Sequence, residues 1–369
     1  MARPTILADE NIPFAREAFG TLGEVRLKHG RQIGRADLMD VDLLVVRSIT
    51  HVDAALVAGT RVRFVGTATS GFDHVATADL DRLGVAFYAA LGCNANSVSD
   101  YMAAAWLTLA ARRRETLAGR RVGIVGVGHV GSLVVKKALA LGMVPILNDP
   151  PKARETGSEG FRPLDDLLDC DIVTCHTPLT FDGPDPTHGL IGVGFLSRLK
   201  AGAWLCNAGR GGVVDEAALH GALDARRLGA VVLDVWDHEP EIDGCLLARV
   251  DIGTPHIAGY SLEGKLNGTG MVYDAACRFL GVAPGWSPAE AMPQRPAGLP
   301  LRGFTGDTDA SCRNLDREGI AALAAEVTAV YPILRDDEAL RGTAGTETVE
   351  RGRVFDLLRK NYPVRREFS

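Results

Sequence analysis

Arg121-Val122-Gly123-Ile124-Val125-Gly126-Val127-Gly128-His129-Val130-Gly131 is the stretch whose reading decides the fold. Residues 121–125 form a strand-length run. Glycines follow at once in a G-x-G-x-x-G spacing, and a helical pattern then runs over Val130–Leu141. A second strand-length run, Val144–Asn148, leads to Asp149, 23 residues beyond Gly126. Strand, glycine turn, helix, strand and acid in that order form a dinucleotide-binding unit. The first glycine makes the tight turn, the second admits a pyrophosphate to the backbone, and the third lets the helix lie on the strand. The helix N-terminus offers unsatisfied N–H groups and the positive end of its dipole to phosphates. Asp149 is spaced to accept from both ribose hydroxyls and to repel a 2′-phosphate, which favours NAD over NADP. Lys152 and Arg154 nearby weaken that preference, and Asp149 also reads as a helix cap.

Outward from this unit the rhythm continues. Strand-length runs recur at Ile172–Cys175, Ala203–Asn207 and Val231–Val235. Upstream they lie at Thr5–Ala8, Leu43–Val46, Phe64–Gly66 and Val85–Tyr88, with helical patterns at Pro13–Leu22 and Ala54–Val57. Short buried strands separated by helices specify parallel sheets covered on both faces. An Ala-rich helix over about Ser97–Arg114 separates the two series and reads as a bridge between domains. After about Leu280 the pattern changes: 283–288 and 293–300 are rich in Pro and Gly and read as a linker. Helical periodicity around Arg317–Val330 and a basic end then predict a third, small α+β domain.

Composition bounds what such a chain does. With 369 residues, 46% hydrophobic and 23% charged, it is long enough for two or three ordinary globular domains. Forty basic against 46 acidic residues give −6, which argues against a nucleic-acid-coating protein. Seven scattered cysteines with no C-x-x-C point to buried free thiols in a reducing compartment, with no metal site and no disulfide framework. No apolar run approaches the roughly 18–20 residues of a membrane helix, and the first residues do not read as a signal peptide. The expectation is a soluble, cytoplasmic protein.

Three further segments end predicted strands or follow them: Asn207-Ala208-Gly209-Arg210-Gly211-Gly212, Leu233-Asp234-Val235-Trp236-Asp237-His238-Glu239-Pro240 and Thr254-Pro255-His256-Ile257-Ala258-Gly259-Tyr260. The carboxyl edge of an open α/β sheet is where ligands bind. Together the segments present one arginine, one glutamate and one histidine. Oxidising an alcohol beside a carboxylate asks for those three types. A histidine accepts the hydroxyl proton, a carboxylate fixes its tautomer, and a guanidinium fork holds the substrate carboxylate. Taken singly, His256 also reads as a loop histidine and Glu239 as a solvated charge. Arg210 between glycines has close access to a ligand.

On these residues the sequence resembles the D-isomer-specific 2-hydroxyacid dehydrogenase family over residues 1 to about 280. A narrower likeness, to a branch acting on a phosphorylated 2-hydroxy acid, rests on Ala8-Asp9-Glu10-Asn11-Ile12-Pro13, Val46-Arg47-Ser48-Ile49-Thr50, residues 64–71, Gly92-Cys93-Asn94-Ala95, His176-Thr177-Pro178-Leu179, residues 251–260 and the tail Leu358-Arg359-Lys360-Asn361-Tyr362.

The resemblance implies two doubly wound parallel-sheet α/β domains and a C-terminal extension. A flavodoxin-like substrate domain would comprise 1–93 with 258–282, a Rossmann NAD domain 94–257, and a dimerisation domain 286–369. It implies that Arg210, Glu239 and His256 are catalytic. Gly126, Gly128, His129, Val130, Gly131, Asp149, Thr177, Ala208, Gly209, Arg210, Asp234 and Gly259 would line the NAD site. Ser48, Thr69 and Tyr260 would meet substrate, and Arg47 is the candidate for its phosphate. Ser48 and Thr69 also read as turn residues, Thr177 as a strand end held extended by Pro178, Tyr260 as a packing residue, and Asp234 as a buried support for backbone. The implied protein is a homodimer joined through its C-terminal domain, with no membrane or nucleic-acid partner. Two other readings stay open: a dehydrogenase of 3-phosphoglycerate or of glycerate and hydroxypyruvate, and a catalytically silent NAD-sensing interaction protein.

Overall fold

The computed structural model describes residues 3–293 and 314–368. They fall into two compact units, residues 3–94 with 261–293 and residues 95–260 with 314–368.

In the first unit the chain runs β1 (Thr5–Asp9), α1 (Ala15–Gly20), β2 (Glu24–Lys28), β3 (Leu43–Val46), α2 (Ala54–Val57), β4 (Phe64–Thr67), α3 (Thr77–Leu83) and β5 (Ala86–Ala89). The strands make one parallel sheet in the order β2-β1-β3-β4-β5. That is the flavodoxin-like order, with its switch point between β1 and β3. β3 and β4 are buried along their whole length, as a sheet covered on both faces requires. β2 does not stand out in the sequence because Glu-Val-Arg-Leu-Lys sits at the sheet's edge, with each of its residues partly or fully exposed.

The second unit opens with α4 (Ala95–Arg113). It continues through β6 (Arg121–Val125), α5 (His129–Ala140), β7 (Val144–Asn148), α6 (Pro150–Thr156), β8 (Ile172–Cys175), α7 (Val193–Leu196), β9 (Trp204–Asn207), α8 (Glu216–Asp224), β10 (Ala230–Leu233), α9 (Gly244–Leu247) and β11 (Ile252–Gly253). Its parallel sheet has the order β11-β10-β9-β8-β6-β7. One further parallel bridge, Leu147 to Phe161, extends it beyond β7. With that residue-long strand the order is the Rossmann one, and the switch point lies between β6 and β8. α4 is buried on nearly every side from Ala95 to Ala110, which explains its run of small residues.

The chain then returns to the first unit as α10 (Leu262–Leu280), capped by the Ser261 hydroxyl, and α11 (Pro288–Ala291). α10 packs on β4, and Gly66 makes room for it: a Cβ there would lie 2.3 Å from Val272 Cγ1. Pro288, inside the expected linker, is docked on α10, because a Cβ at Gly270 would meet its Cγ at 2.2 Å. Residues 294–300 of that linker lie outside the described residues.

The C-terminal segment differs from its sequence reading. Its described residues form α12 (Arg317–Val330), α13 (Ile333–Arg341) and α14 (Thr348–Lys360), with no strand among them, where an α+β body was expected. They cluster with the second unit. The stripe Ile320, Leu323, Ala324 and Val327 of α12 is buried in the core cluster that also holds α4. The tail completes this packing. Arg365 donates to Ser97 O at 2.8 Å and Ala258 O at 2.7 Å, and its guanidinium stands 4.2 Å from the Tyr331 ring centroid. Phe368 N donates to Asp100 at 2.9 Å. Five of the six described cysteines are buried as expected, whereas Cys245 is exposed. No described helix is long and apolar enough to cross a membrane.

Beneath α4 lies a buried ion pair, Lys137 Nζ to Asp100 Oδ1 at 3.1 Å, with side-chain exposures of 3% and 0%. Burial holds the Lys137 ammonium below its ordinary pKa despite Asp100. Lys137→Met therefore lowers unfolding stability by about 3–5 kcal/mol, since it leaves a buried carboxylate without its cation. Adding Asp100→Asn recovers part of that loss. Denaturant midpoints of the two variants check both outcomes.

Candidate functional site

At the β6–α5 junction the glycines do what their spacing predicts. Gly126 has φ +83, a conformation L side chains rarely adopt, and its N–H donates to Asn148 O at 2.8 Å. A Cβ at Gly131 would lie 2.0 Å from Gly126 O, so only glycine lets α5 close on the turn. A Cβ at Gly128 would meet nothing within 4 Å. Gly128 and His129 are exposed and Val130 partly so, which leaves the α5 N-terminus open to an anion. Thr177, past β8, lies against this turn: a Cβ on Gly126 would meet its Cγ2 at 2.8 Å. Its Oγ1 is buried without a hydrogen-bond partner. An open helix N-terminus beside an orphaned hydroxyl at the switch point fits a dinucleotide pyrophosphate.

Asp149 both caps α6, accepting from Lys152 N at 3.0 Å, and grips the glycine turn, accepting from Val127 N at 2.8 Å. Each carboxylate oxygen keeps acceptor capacity for a ribose hydroxyl. Lys152 Nζ is held on Val127 O at 2.7 Å, and Arg154 is paired with Asp185. His176, between β8 and Thr177, bonds Thr174 at 2.9 Å; burial pushes its pKa down to about 3, so it stays neutral.

The three candidate segments are tied to one another, and Trp236 ties them. A Cβ on Gly211 would lie 1.8 Å from Trp236 O, so the Arg210 loop presses directly on the Trp236 backbone. Trp236 N donates to Glu239 Oε1 at 2.9 Å, and Trp236 Nε1 donates to Thr254 O at 2.9 Å. Glu239 Oε2 then meets His256 Nδ1 at 2.7 Å. Burial pushes the Glu239 carboxyl up, but the charge and bond of His256, Arg359 and the Trp236 N–H outweigh it and hold it below the usual carboxylate range. An ionised carboxylate only accepts, so the Nδ1 proton belongs to His256 and its Nε2 is left with a lone pair.

His256 sits at φ 54, left-handed for a non-glycine residue, on a loop braced by Asp234. This buried carboxylate accepts from Thr254 Oγ1 at 2.7 Å, Ile257 N at 2.8 Å and Ala258 N at 2.9 Å, while Asp234 O accepts from His256 N at 2.7 Å. Asp234 thus carries out the supporting task that sequence left open to it. On the neighbouring loop Asn207 Nδ2 donates to Arg210 O at 2.8 Å and Gly209 N donates to Asn207 Oδ1 at 3.1 Å. Arg210 Nη1 rests on Gly209 O at 2.8 Å, and Ala208 is buried. Gly259 and Tyr260 follow at the loop's end, partly buried, with Tyr260 N donating to Ile257 O at 2.8 Å.

In the first unit, Arg47 and the exposed Ser48 follow β3, beside the switch point, and Thr69 follows β4. Thr69 Oγ1 donates to Gly71 O at 2.9 Å and lies 2.8 Å from Thr67 Oγ1. Lys265 on α10 was not singled out in the sequence. Burial, with Arg47 adding repulsion, pushes its amine down to about 8. Trp236 and Arg359 were also not singled out. A tryptophan two residues past Asp234 carried a signal only through its position after a strand end.

Glu216 stands behind the 236–239 turn and accepts from Asp237 N at 2.8 Å. Burial pushes its carboxyl up to about 7 from 4.5. An acid raised in the folded state contributes stability that is present below pH 4.5 and lost as pH rises to about 7. Glu216→Gln removes that loss. Its pH–stability curve is flatter over this window, and it is the more stable protein at neutral pH. Thermal unfolding across the window checks this, and parallel curves for the two proteins would refute it.

Comparison with known proteins agrees with this geometry. Residues 87–258 match the model of the D-isomer specific 2-hydroxyacid dehydrogenase NAD-binding domain, and 312–369 match that of a domain of unknown function, DUF3410. The chain is 47% identical to erythronate-4-phosphate dehydrogenase of Edwardsiella ictaluri, over 99% of this chain and 93% of that one. Against the enzyme of the same name from Cronobacter sakazakii identity is 48%, over 99% and 92%. Among solved structures, NAD-bound 3-phosphoglycerate dehydrogenase of Entamoeba histolytica shares the fold at TM-score 0.65 and 22% identity, covering 76% of this chain and 96% of that one. The chain belongs to the D-isomer-specific 2-hydroxyacid dehydrogenase family, in the branch formed by the erythronate-4-phosphate dehydrogenases.

Proposed function

We propose that this chain catalyses the NAD-dependent oxidation of 4-phospho-D-erythronate at C2 to 3-hydroxy-2-oxo-4-phosphobutanoate, a step of pyridoxal phosphate biosynthesis. The observation that carries the chemistry is the 2.7 Å bond from His256 Nδ1 to Glu239, which leaves Nε2 as the base. The relatives' name supplies the substrate. NAD, when bound, supplies the hydride acceptor. Gly126, Gly128, His129, Val130 and Gly131 hold its pyrophosphate end, Asp149 its ribose, and Thr177, Ala208, Gly209, Arg210, Asp234 and Gly259 the remainder. His256 takes the C2 hydroxyl proton at Nε2, and Glu239 stabilises the imidazolium that results. Arg210 holds the substrate carboxylate as a guanidinium fork.

Ser48, Thr69 and Tyr260 contact the substrate, and Arg47 binds its phosphate. Supporting that assignment, Arg47 and Lys265 are close enough for the one to depress the pKa of the other, as cations gathered for an anion do. The protein acts in the cytoplasm, a reading supported by the burial of five of the six described cysteines as thiols. It works as a homodimer through its C-terminal segment, where Val349, Leu357 and Val364 are exposed at 73%, 44% and 40%.

A panel of 4-phospho-D-erythronate, 3-phosphoglycerate and glycerate, read as NADH absorbance with NAD or NADP, tests the reading. The phosphorylated four-carbon acid with NAD gives the highest kcat/KM, and a preference for either three-carbon acid overturns the assignment. His256→Asn lowers kcat by about 10²–10⁴-fold. Arg47→Ala raises KM for the phosphorylated substrate with little change in kcat.

A further inference from the structure

The 358–362 tail motif has no place in the chemistry above, yet α14 carries it to the proton-transfer pair. Arg351, Phe355 and Arg359 recur at four-residue spacing and so share one face of that helix. The face is laid along the chain that follows Glu239. Arg351 Nε donates to Ile242 O at 2.8 Å and its Nη1 to Thr346 O at 2.6 Å, with Arg351 only 5% exposed. A Cβ on Gly352 would stand 3.1 Å from Glu241 Cγ and 3.3 Å from Pro240 O, so α14 touches the two residues next to Glu239. Phe355, fully buried, belongs to the same core cluster as Trp236.

One turn on, the stripe delivers Arg359. Its guanidinium hydrogen-bonds Tyr260 and faces the carboxylates of Glu239 and Asp234, and its Nε is buried without a partner. The Tyr260 ring is wedged from the other side by Tyr362, edge-on at 5.8 Å. The ionisable groups around the pair are thus Asp234 beneath the loop, Tyr260 beyond it and Arg359 on α14. Within α14, Arg359 stands 5.8 Å from the Phe355 ring centroid, and its charge faces outward to the pair.

We propose that Arg359 is a positioning residue for the proton-transfer pair: from the C-terminal helix its charge sets the potential at Glu239 and at the His256 ring, while it anchors Tyr260. This rests on His256 being the base. Arg359 adds to the charge and bond of His256 in holding Glu239 ionised. It also adds positive potential that opposes a second positive charge on the imidazole. Removing it makes the imidazolium easier to form.

The test is a titration of the His256 ring by NMR in histidine-labelled free protein, alongside pH profiles of kcat/KM, for Arg359→Gln and Arg359→Lys. In the Gln variant the His256 midpoint and the acidic limb of kcat/KM move up by about one pH unit. At pH values below the limb kcat/KM then falls about tenfold, with a much smaller change on the alkaline plateau. The Lys variant, which keeps the charge, stays near the parent midpoint. An unmoved midpoint in a folded Gln variant overturns the proposal and leaves the catalytic reading intact. If the Gln variant does not fold, a Lys variant whose midpoint moves as far as a charge loss would overturns it equally. Full activity in His256→Asn would instead sink the catalytic reading itself.

Discussion

One buried carboxylate sets the geometry on which the rest of the second unit's chemistry depends. Asp234 lies at the end of β10 with almost no solvent, and burial raises its pKa despite its partners. An isolated charge there would be costly; three donors from a single short loop satisfy it. Those three bonds fold residues 254–258 around it and offset the left-handed backbone at His256. Thr254 spends its proton on Asp234, so the Tyr101 hydroxyl, 2.8 Å away, donates to Thr254 in turn. A helix more than a hundred residues earlier in the chain thereby helps fix the height of the histidine.

The arrangement separates two tasks that one acid could not perform together. Asp234 fixes backbone and is shielded from solvent, whereas Glu239 faces the imidazole with one oxygen and spends the other on Trp236 N. Trp236 reports to both, since its backbone abuts the Arg210 loop and its indole bonds Thr254 O. The three loops are consequently joined, two by hydrogen bonds and the Arg210 loop by close packing on Trp236, rather than three independent strand extensions. Preorganisation of this kind spares the protein from reorganising during the reaction.

Much of this was legible in the residues, for identifiable reasons. The glycine turn was readable because Gly126 needs its positive φ and Gly131 must let α5 close on the turn, while Gly128 leaves the space before the helix open. Arg210, Glu239 and His256 were readable because each follows a recognisable strand, and strand ends at one sheet edge converge. Trp236 escaped notice because its value lies in its packing against Gly211 and its bond to Thr254, partners chosen by folding and not by spacing. Arg359 and Lys265 escaped for the same reason, each lying far along the chain from what it faces. β2 was lost because an edge strand carries polar residues that imitate a loop. The C-terminal segment was read as a body of its own because the face that α12 covers lies on α4, a helix whose burial on nearly every side has no periodic signature.

Arg365, Glu367 and Phe368 close over the first turns of α4, and this bears on the order in which the protein is assembled during synthesis. When the ribosome has released α4 and the whole six-stranded sheet, Asp100 already has Lys137, but the bonds from Arg365 to Ser97 O and from Phe368 N to Asp100 are still to come. Those donors arrive about 270 residues later in the chain. The nucleotide unit therefore waits, part-finished, with an apolar helix face uncovered until α12 has been made and with these polar ties unmade until residues 365–368 follow. The seam between α4 and residues 365–368 is thus the part of the nucleotide unit that closes last.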